Sequence, residues 1–404
     1  MSNTLQQRIA KMRLGAASAA LTLVAVSGLG VITTQSAQAQ TFTVLYNFTG
    51  SPDGESPFGG VVRDTAGNLY GTTQLGGASG YGTVFKTDAS GKETVLYSFT
   101  GGGDGGYPVG GLVRDTASNL YGTTYEGGAS GYGTVFKVSR KGKETVLHSF
   151  TGGPSDGAIP FGGLIRDKTG NLYGTTYGGG ADPFCFCLGV VFKVDTSGTE
   201  TVLHSFTGSD GDGAFPSYTS LLMDAAGNFY GVTSEGGSYA VLGLAYKLSR
   251  SGKETALHSF AGGTMDGCFP YGTPAMDLKG NLYGTTNGCG STSVGIVWKV
   301  SEKGTFTVLH NFAGGATDGA YPYAGVILDA KGNLYGATET GGTSDTGTVY
   351  KLSKTGTLTL LHSFAGSDGA YPDGGLIWDA KGDLYGTAVE GGSGGYGTVW
   401  KLTK

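Results

Sequence analysis

The sequence predicts an all-β protein, a seven-bladed β-propeller of four-stranded antiparallel blades. The first observation is a motif, written GNLYGTT at residues 170–176, that recurs seven times at intervals of 50 to 57 residues. The second is a set of four short runs rich in Val, Thr, Tyr and Phe in each interval, which is typical of strands. The third is a circular offset: residues 43–48 have a fourth-strand sequence before the first repeat, and residues 397–402 end the chain with a third strand.

The second repeat shows the order of the elements. Its predicted strands are residues 110–115, 119–124, 133–138 and 144–150. Short turns, which contain Gly in most repeats, join the first strand to the second and the third to the fourth, as in antiparallel hairpins. A longer loop joins the second strand to the third, and a loop ending D-G-x-x-P leads to the next blade. The N-terminal strand is expected to pair into the last blade and close the ring. A parallel β-helix is the alternative architecture.

The chain divides into a predicted secretory signal peptide, residues 1–39, and a propeller domain, residues 40–404. Basic residues precede an apolar run that ends in a small-residue cleavage pattern, Ala37-Gln38-Ala39. No second apolar run follows, so we expect no membrane span after cleavage and a secreted or periplasmic location.

Composition limits the partners. Glycine is 79 of 404 residues, but it recurs at fixed offsets and therefore marks turns rather than disorder. The chain has 31 Asp and Glu against 26 Lys and Arg, without a Lys/Arg cluster in the sequence, which argues against nucleic acid as a partner. We expect a monomer that needs no cofactor.

The runs GGLIRD, GNLYGTT, GTVFKV and ETVLHSF, with D-G-x-x-P, resemble the GloVer-type (choice-of-anchor) tandem-repeat family of exported bacterial proteins. The resemblance covers nearly all of residues 41–404. It implies repeat domains combined with varied C-terminal anchoring segments and no defined activity. Here Lys404 directly follows the last strand, so the sequence gives no support for surface anchoring.

Residues that recur in every repeat are interpreted as scaffold. The five His share one offset in the fourth strand, and copies related by rotation cannot converge on one catalytic site. An Asp that ends each first strand, such as Asp115, is expected to form an Asx-type turn. Neither set is predicted to be catalytic.

The long loops of the opposite face contain the candidate ligand residues. Each D-G-x-x-P element supplies an Asp and often an aromatic residue directly before the proline, and some loops between second and third strands add Glu. Carboxylates beside aromatic faces suit sugars, which stack and hydrogen-bond at once. The alternative is a turn-forming Asp and an aromatic packed between blades. The candidates are Tyr107, Phe215, Phe269, Tyr321, Tyr371, Glu126, Glu235 and Glu390.

The largest break in the repeat is the loop 178–189, GGGADPFCFCLG. Its Phe184, Phe186 and Leu188 would form an exposed patch for a partner or a lid over the neighbouring blade, and both readings stay open. The segment 210–213 is like half of a calcium loop but lacks the Glu at the twelfth position, so no metal site is predicted.

Four cysteines follow the signal segment, and export makes pairing the default expectation. Cys268 and Cys289 lie in two loops of the fifth repeat at the same end of adjacent strands, which predicts a disulfide. Cys185 and Cys187 would form a tight bridge or stay reduced as a soft metal or redox pair. All four could instead be small buried side chains.

The sequence therefore favours a binding or scaffold module for an extracellular glycan or a surface protein. One alternative is a carbohydrate-active enzyme, a lyase or glycosidase using acidic residues of the loops, and another is a purely structural envelope protein. Glycosidases need two carboxylates in different environments, and rotational copies single out no pair. No catalytic residue is predicted.

Overall fold

A computed structural model describes residues 40–181, 188–209, 211–239 and 241–403. These residues form seven four-stranded antiparallel sheets, the blades of a closed propeller. The predicted signal segment lies outside the described residues, as do Phe184, Cys185, Phe186 and Cys187. The described parts of the chain contain no helix and hence no helix that could cross a bilayer.

Each blade runs from its first strand near the axis to its fourth strand at the perimeter. The first strands are Val61–Arg63, Val113–Arg114, Ile165–Arg166, Leu222–Met223, Ala275–Met276, Ile327–Leu328 and Ile377–Trp378. The second strands are Leu69–Thr73, Leu120–Thr124, Leu172–Thr176, Phe229–Thr233, Leu282–Thr286, Leu334–Thr338 and Leu384–Ala388. The third strands are Thr83–Thr87, Thr134–Val138, Val190–Val194, Leu244–Leu248, Ile296–Val300, Thr348–Leu352 and Thr398–Thr403. The fourth strands are Glu93–Ser98, Glu144–Ser149, Glu200–Ser205, Glu254–Ser259, Phe306–Asn311, Leu358–Ser363 and Thr41–Asn47.

The ring closes as the sequence predicts. Thr41–Asn47 pairs antiparallel with the third strand of the last blade, from Thr41 opposite Thr403 to Asn47 opposite Thr398. The Phe48 N–H then donates to the Gly397 carbonyl at 3.0 Å. The seventh blade is thus built from both ends of the described chain, and its third strand has no open edge.

The first strands are shorter than predicted. In the second blade the ladder covers only Val113–Arg114, whereas the sequence predicted residues 110–115. Gly110 instead lies against the backbone of the next blade, where a Cβ would collide with the carbonyl of Gly162. Because the first strands converge on the axis, neighbouring backbones touch there and leave no room for a longer ladder.

The glycine inside the GNLYGTT motif makes room for an aromatic ring. Gly174 pairs with Phe192 of the third strand, and a Cβ at Gly174 would lie 2.8 Å from Phe192 Cζ. Gly284 has the same relation to the buried Trp298. The ring lies flat over the second strand, so the motif needs a residue without a side chain at this point.

The core is divided into seams between neighbouring blades. Third strands bury every side chain except the Lys, as in Thr134–Val138. At the seam between blades 2 and 3, Val135 and Phe150 pack against Leu164 and Phe192. Each blade is therefore stabilised mainly by its two neighbours, as in other repeat architectures.

Five short ladders on the loop side were not predicted. They join the loop that leads into a blade to the loop between its second and third strands, namely Gly54–Glu55 with Leu75–Gly76, Gly157–Ala158 with Gly178–Gly179, Gly213–Ala214 with Glu235–Gly236, Gly267–Cys268 with Gly288–Cys289, and Gly319–Ala320 with Thr340–Gly341. In the fifth blade the ladder brings Cys268 and Cys289 together, and the predicted disulfide joins them with a Cα–Cα distance of 5.3 Å.

Candidate ligand site on the loop face

The two faces of the ring carry opposite charge. We call the loop face the end with the lead loops, which run from a fourth strand to the next first strand, and the loops between second and third strands. The hairpin face is the other end. The sequence of the loop-face segments contains no Lys or Arg. Every Lys and Arg that the structure describes lies in the hairpins or in the strand ends beside them. The net charge of the whole chain does not reflect this separation between the faces. The exclusion of nucleic acid as a partner therefore stays a prediction.

On the hairpin face the repeated Asp residues form the expected turns. Asp115 accepts hydrogen bonds from the Asn119 N–H at 2.8 Å and from the Tyr121 hydroxyl at 3.0 Å. Burial opposes ionisation, but the hydrogen bonds from Asn119 and Tyr121 outweigh it and lower the pKa of Asp115. Lys137 lies 5.8 Å from the centre of the Tyr121 ring. These groups hold the hairpin together and form no ligand site.

At the perimeter, each His of a fourth strand contacts the Asp of the following D-G-x-x-P element. His148 Nε2 lies 3.0 Å from Asp156 Oδ1, and Asp156 also accepts from the Thr151 N–H at 2.9 Å. Tyr97 replaces His in blade 1 and donates to Asp104 at 2.9 Å. This pairing was not predicted from the sequence. The repeated Asp residues therefore stabilise the lead loops through these hydrogen bonds.

The predicted aromatic candidates link neighbouring blades. Tyr107, Phe215, Phe269, Tyr321 and Tyr371 have positive φ values between 55° and 57°. The Tyr107 N–H donates to the Tyr81 carbonyl of the preceding blade at 2.8 Å. Phe269 and Tyr321 are more than a third exposed. As copies related by rotation, the five are spread around the ring and do not form one site.

The predicted glutamates are spread in the same way. Glu126, Glu235 and Glu390 pair through their backbones with Gly106, Ala214 and Ala370 of their own lead loops. Glu126 and Glu390 are exposed, and Glu235 is partly buried. Each stands close to the aromatic candidate of its own blade, but the structure does not bring the three together.

The residues that converge instead follow the prolines. We call them the axial residues, because they lead into the first strands that surround the propeller axis. In blade 4 one extra residue separates the proline from the first strand. The axial residues are Phe58, Val109, Phe161, Tyr218, Tyr271, Tyr323 and Asp373.

Tyr218 occupies the middle of this group. Its ring centre lies 5.8 Å from that of Phe58, 5.1 Å from Phe161 and 5.8 Å from Tyr323. Tyr271 and Tyr323 stack on each other at 5.0 Å. Tyr218 has a positive φ of 53°, which the extra residue of blade 4 accommodates. Aromatic residues from blades 1, 3, 4, 5 and 6 therefore meet at one point of the loop face.

A cavity of about 510 Å³ runs along the axis beneath the axial residues. Most of the side chains in its wall are apolar, such as Val62, Leu222, Ile327 and Ile377 from the first strands, and backbone of several glycines lies between them. Phe58, Phe161, Tyr218, Tyr323 and Asp373 form its end at the loop face. The size, and a wall of mostly apolar side chains with polar groups among them, are typical of small-ligand sites.

A chain of aromatic contacts runs from the perimeter to this point. We call it the aromatic path. Tyr81 contacts Tyr107 at 5.2 Å, Tyr107 stacks on Tyr125 at 5.4 Å, and Tyr125 contacts Phe161 at 5.2 Å. Phe161 stacks on Tyr218, and a branch from Phe161 through Tyr177 reaches Phe215. Two predicted candidates, Tyr107 and Phe215, belong to the path.

Asp373 is the one carboxylate among the axial residues. The residue as a whole keeps some solvent contact, but its Oδ1 is buried and has no hydrogen-bond partner among the described residues. Burial, and then the charges of Glu339 and Glu390, raise the pKa of Asp373 well above its usual range. Burial also raises the pKa of Glu339. The centre of the loop face is thus aromatic and acidic.

Two further features of this face do not add to the site. Leu188, the described member of the predicted partner patch, is partly buried against a core cluster that includes Val191, Phe206 and Tyr246. Among the described residues, no three His, Cys, Asp or Glu side chains are placed to hold a metal ion.

The sequence model of the Gloeobacter/Verrucomicrobia repeat matches residues 15–239 and 216–404. The chain belongs to this repeat family. No curated protein matches the chain.

Among solved structures, the extracellular domains of two hybrid two-component systems from B. thetaiotaomicron are similar in fold. The first is 14% identical with a TM-score of 0.55, and the match covers 90% of this chain and 41% of that chain. The second is 11% identical with the same TM-score, and covers 90% and 40%. The chain thus spans less than half of these proteins. A gluconolactonase from Xanthomonas campestris is 14% identical over 90% of this chain and 89% of its own, with a lower TM-score of 0.45.

A signal for the axial residues was present in the sequence. The residue after the proline is Phe58, Phe161, Tyr271 or Tyr323 in four repeats, and Asp373 breaks the pattern. Comparing this offset across the repeats would have found the aromatic group and its one acidic member. Aromatic residues are more frequent directly before the proline, and for that reason the predicted candidates lie at that position.

Proposed function

We propose that this propeller is an exported binding module and that a glycan binds along the aromatic path, with one end at the axial residues. The observation that carries the proposal is the continuous path from Tyr81 to Tyr218, whose rings are partly exposed. Sugar C–H faces stack on aromatic rings, while hydroxyls hydrogen-bond to neighbouring polar groups. Gln74, in the loop between the second and third strands of blade 1, provides such a group and hydrogen-bonds with Tyr125 of the path. Export is an expectation that rests on the predicted signal segment.

The test is a titration of residues 40–404 with a panel of neutral oligosaccharides, followed by isothermal titration calorimetry of the best binders. Phe161→Ala removes the ring at which the path branches and should weaken binding by roughly tenfold or more, as for a central aromatic anchor. Tyr239→Ala is the matched control, because Tyr239 is 55% exposed on the same face but outside the path.

An unchanged affinity in Phe161→Ala would contradict the proposed location. Failure of every oligosaccharide to bind would favour a structural envelope protein. Release of shorter sugars during the titration would instead indicate a hydrolase or a lyase acting on the same ligand.

A further inference from the structure

The carboxylate of Asp373 lacks a counter-charge. Its Oδ1 is buried without a hydrogen-bond partner among the described residues. The Thr387 hydroxyl, beside Gly374 in the same blade, is likewise buried and unpartnered. In blades 2 and 5 the equivalent hydroxyls of Thr123 and Thr285 donate to backbone carbonyls of the next blade. Blade 7 thus presents two unsatisfied polar groups close to the axial residues, and buried groups of this kind need a partner.

The surroundings of Asp373 add negative charge and supply none that is positive. Glu339 and Glu390 lie near enough to act on its ionisation. The phenols of Tyr218 and Tyr323 face the same region and feel the charge of Asp373. The loop-face segments contain no Lys or Arg in the sequence. A ligand with a positive group would therefore meet an uncompensated carboxylate in a site of low dielectric, where charge-assisted hydrogen bonds are strong.

Aromatic rings complete a cationic site. Tyr218 and Tyr323 line the same cavity as Asp373, together with Phe58. The negative π-faces of such rings attract ammonium groups. A bare metal ion fits less well, because calcium requires six to eight oxygen ligands and the described residues place no metal-binding group of three side chains.

We propose that the axial end of the site recognises a protonated amine, so that the preferred glycan carries a free amino sugar at the position that reaches Asp373. This inference rests on the proposed glycan site and deepens it. The ammonium group would donate a hydrogen bond to Asp373 Oδ1 and lie against Tyr218 and Tyr323. The rest of the glycan would continue along the aromatic path.

The test compares two oligomers that differ in charge at the 2-substituent of every sugar ring. β-1,4-linked glucosamine oligomers carry free amines, and N-acetylglucosamine oligomers of equal length carry neutral amides. Calorimetry on residues 40–404 should give at least a tenfold higher affinity for the amine form. Asp373→Asn should abolish this preference. Asp345→Asn, which removes one negative charge from an exposed position of the same face outside the aromatic path, should retain it. The titrations are made at physiological ionic strength, where the Debye length of about 8 Å suppresses distant charges.

The Asp373→Asn protein should fold, because Asn has nearly the size of a carboxyl whose charged form burial already disfavours in the free protein. We expect an unchanged or higher melting temperature. If this variant fails to fold, Glu339→Gln provides a second test, since it lowers the negative charge beside Asp373 and should reduce the preference severalfold.

The outcomes separate the two proposals. Equal affinity for both oligomers, with loss of binding in Phe161→Ala, would overturn the amine proposal and leave the glycan site standing. An amine preference that survives Asp373→Asn would also overturn it. If no oligosaccharide binds, the proposed function fails, and methylammonium, which has N–H donors, then tests the cationic site alone by NMR titration. Methylammonium binding that Asp373→Asn abolishes would support it, and the absence of methylammonium binding would overturn it.

Discussion

The seven blades of this propeller carry equivalent residues at the perimeter but different residues at the axis. At the perimeter, each seam carries the same lock, in which a His or Tyr of the fourth strand contacts the Asp of the next lead loop. At the axis, the equivalent positions of the seven blades hold Phe, Val, Phe, Tyr, Tyr, Tyr and Asp. Repetition stabilises the ring, because every seam must be closed. Divergence at a point where all blades meet produces one asymmetric group of side chains from seven similar units.

Opening the ring at the perimeter should destabilise the protein more than any other change considered. Deletion of residues 41–49 removes the fourth strand of blade 7 together with the buried Phe48. Loss of a single buried Phe costs about 3–5 kcal/mol, and the exposed third-strand edge would add to that loss. We expect a melting temperature lower by ~10 °C or more, and association through the new edge. Calorimetry and size-exclusion chromatography measure both, with residues 40–404 as the control. A monomeric and equally stable truncation would contradict a closed ring.

A smaller effect is expected from a substitution inside one blade. Gly174→Ala forces a Cβ against the ring of Phe192 and should cost about 1–3 kcal/mol through overpacking. Gly103→Ala is the matched control, because a Cβ there would meet nothing within 4 Å. Its effect should stay within about 0.5 kcal/mol. Chemical denaturation of both variants gives the difference directly. Equal stabilities would show that the aromatic ring does not require the motif glycine.

The smallest effect concerns the seams that carry a Glu at the start of the fourth strand. Glu93, Glu144, Glu200 and Glu254 each have a buried Oε1 without a partner among the described residues. Burial, and then the neighbouring Asp of the lock, raise the pKa of all four to about 7. A carboxyl with a raised folded-state pKa binds its proton more tightly in the folded protein. Its contribution to stability is present below the unfolded value of about 4.5 and is lost as the pH rises towards 7.

Replacing these four residues with Gln should therefore flatten the pH dependence of stability between about 4.5 and 7. Because these carboxyls are only partly buried, solvent screening strongly reduces the effect of each pKa shift, and the four-fold variant should melt about 1–3 °C higher than the parent protein at pH 8 and about equally at pH 4.5. Glu126→Gln, at an exposed position of the loop face, is the control. Blades 5 and 7 already carry Phe306 and Phe42 at this offset, stacked on His258 and His362. A parallel shift at both pH values would mean that the carboxyls do not titrate in this range.

The ring itself could be predicted because its determinants are local. The spacing of GNLYGTT, the hairpin lengths and the displaced strand of residues 43–48 together specify blade number, strand order and closure. The pairing of Cys268 with Cys289 also followed, since both lie in loops of one blade. The role of the motif glycine was not predicted, because it depends on the ring of Phe192, which lies over Gly174.

The candidate site could be predicted only in part. Tyr107 and Phe215 were identified and belong to the aromatic path, but Phe269, Tyr321 and Tyr371 lie elsewhere on the ring. Convergence at the axis depends on curvature around seven blades, which no single repeat contains. The orientation of Tyr218 depends on one extra residue and a positive φ, neither of which an alternating hydrophobic pattern reveals.

Closure by the terminal strand also decides where this protein can be tethered. Thr41 lies opposite Thr403, at the hairpin ends of their strands. Both chain ends of the described propeller therefore leave it on the face away from Tyr218 and Asp373. A tag, a linker or a solid support joined at either end would leave the mouth of the axial cavity pointing outwards and accessible, so immobilised protein should present its site to ligand without obstruction.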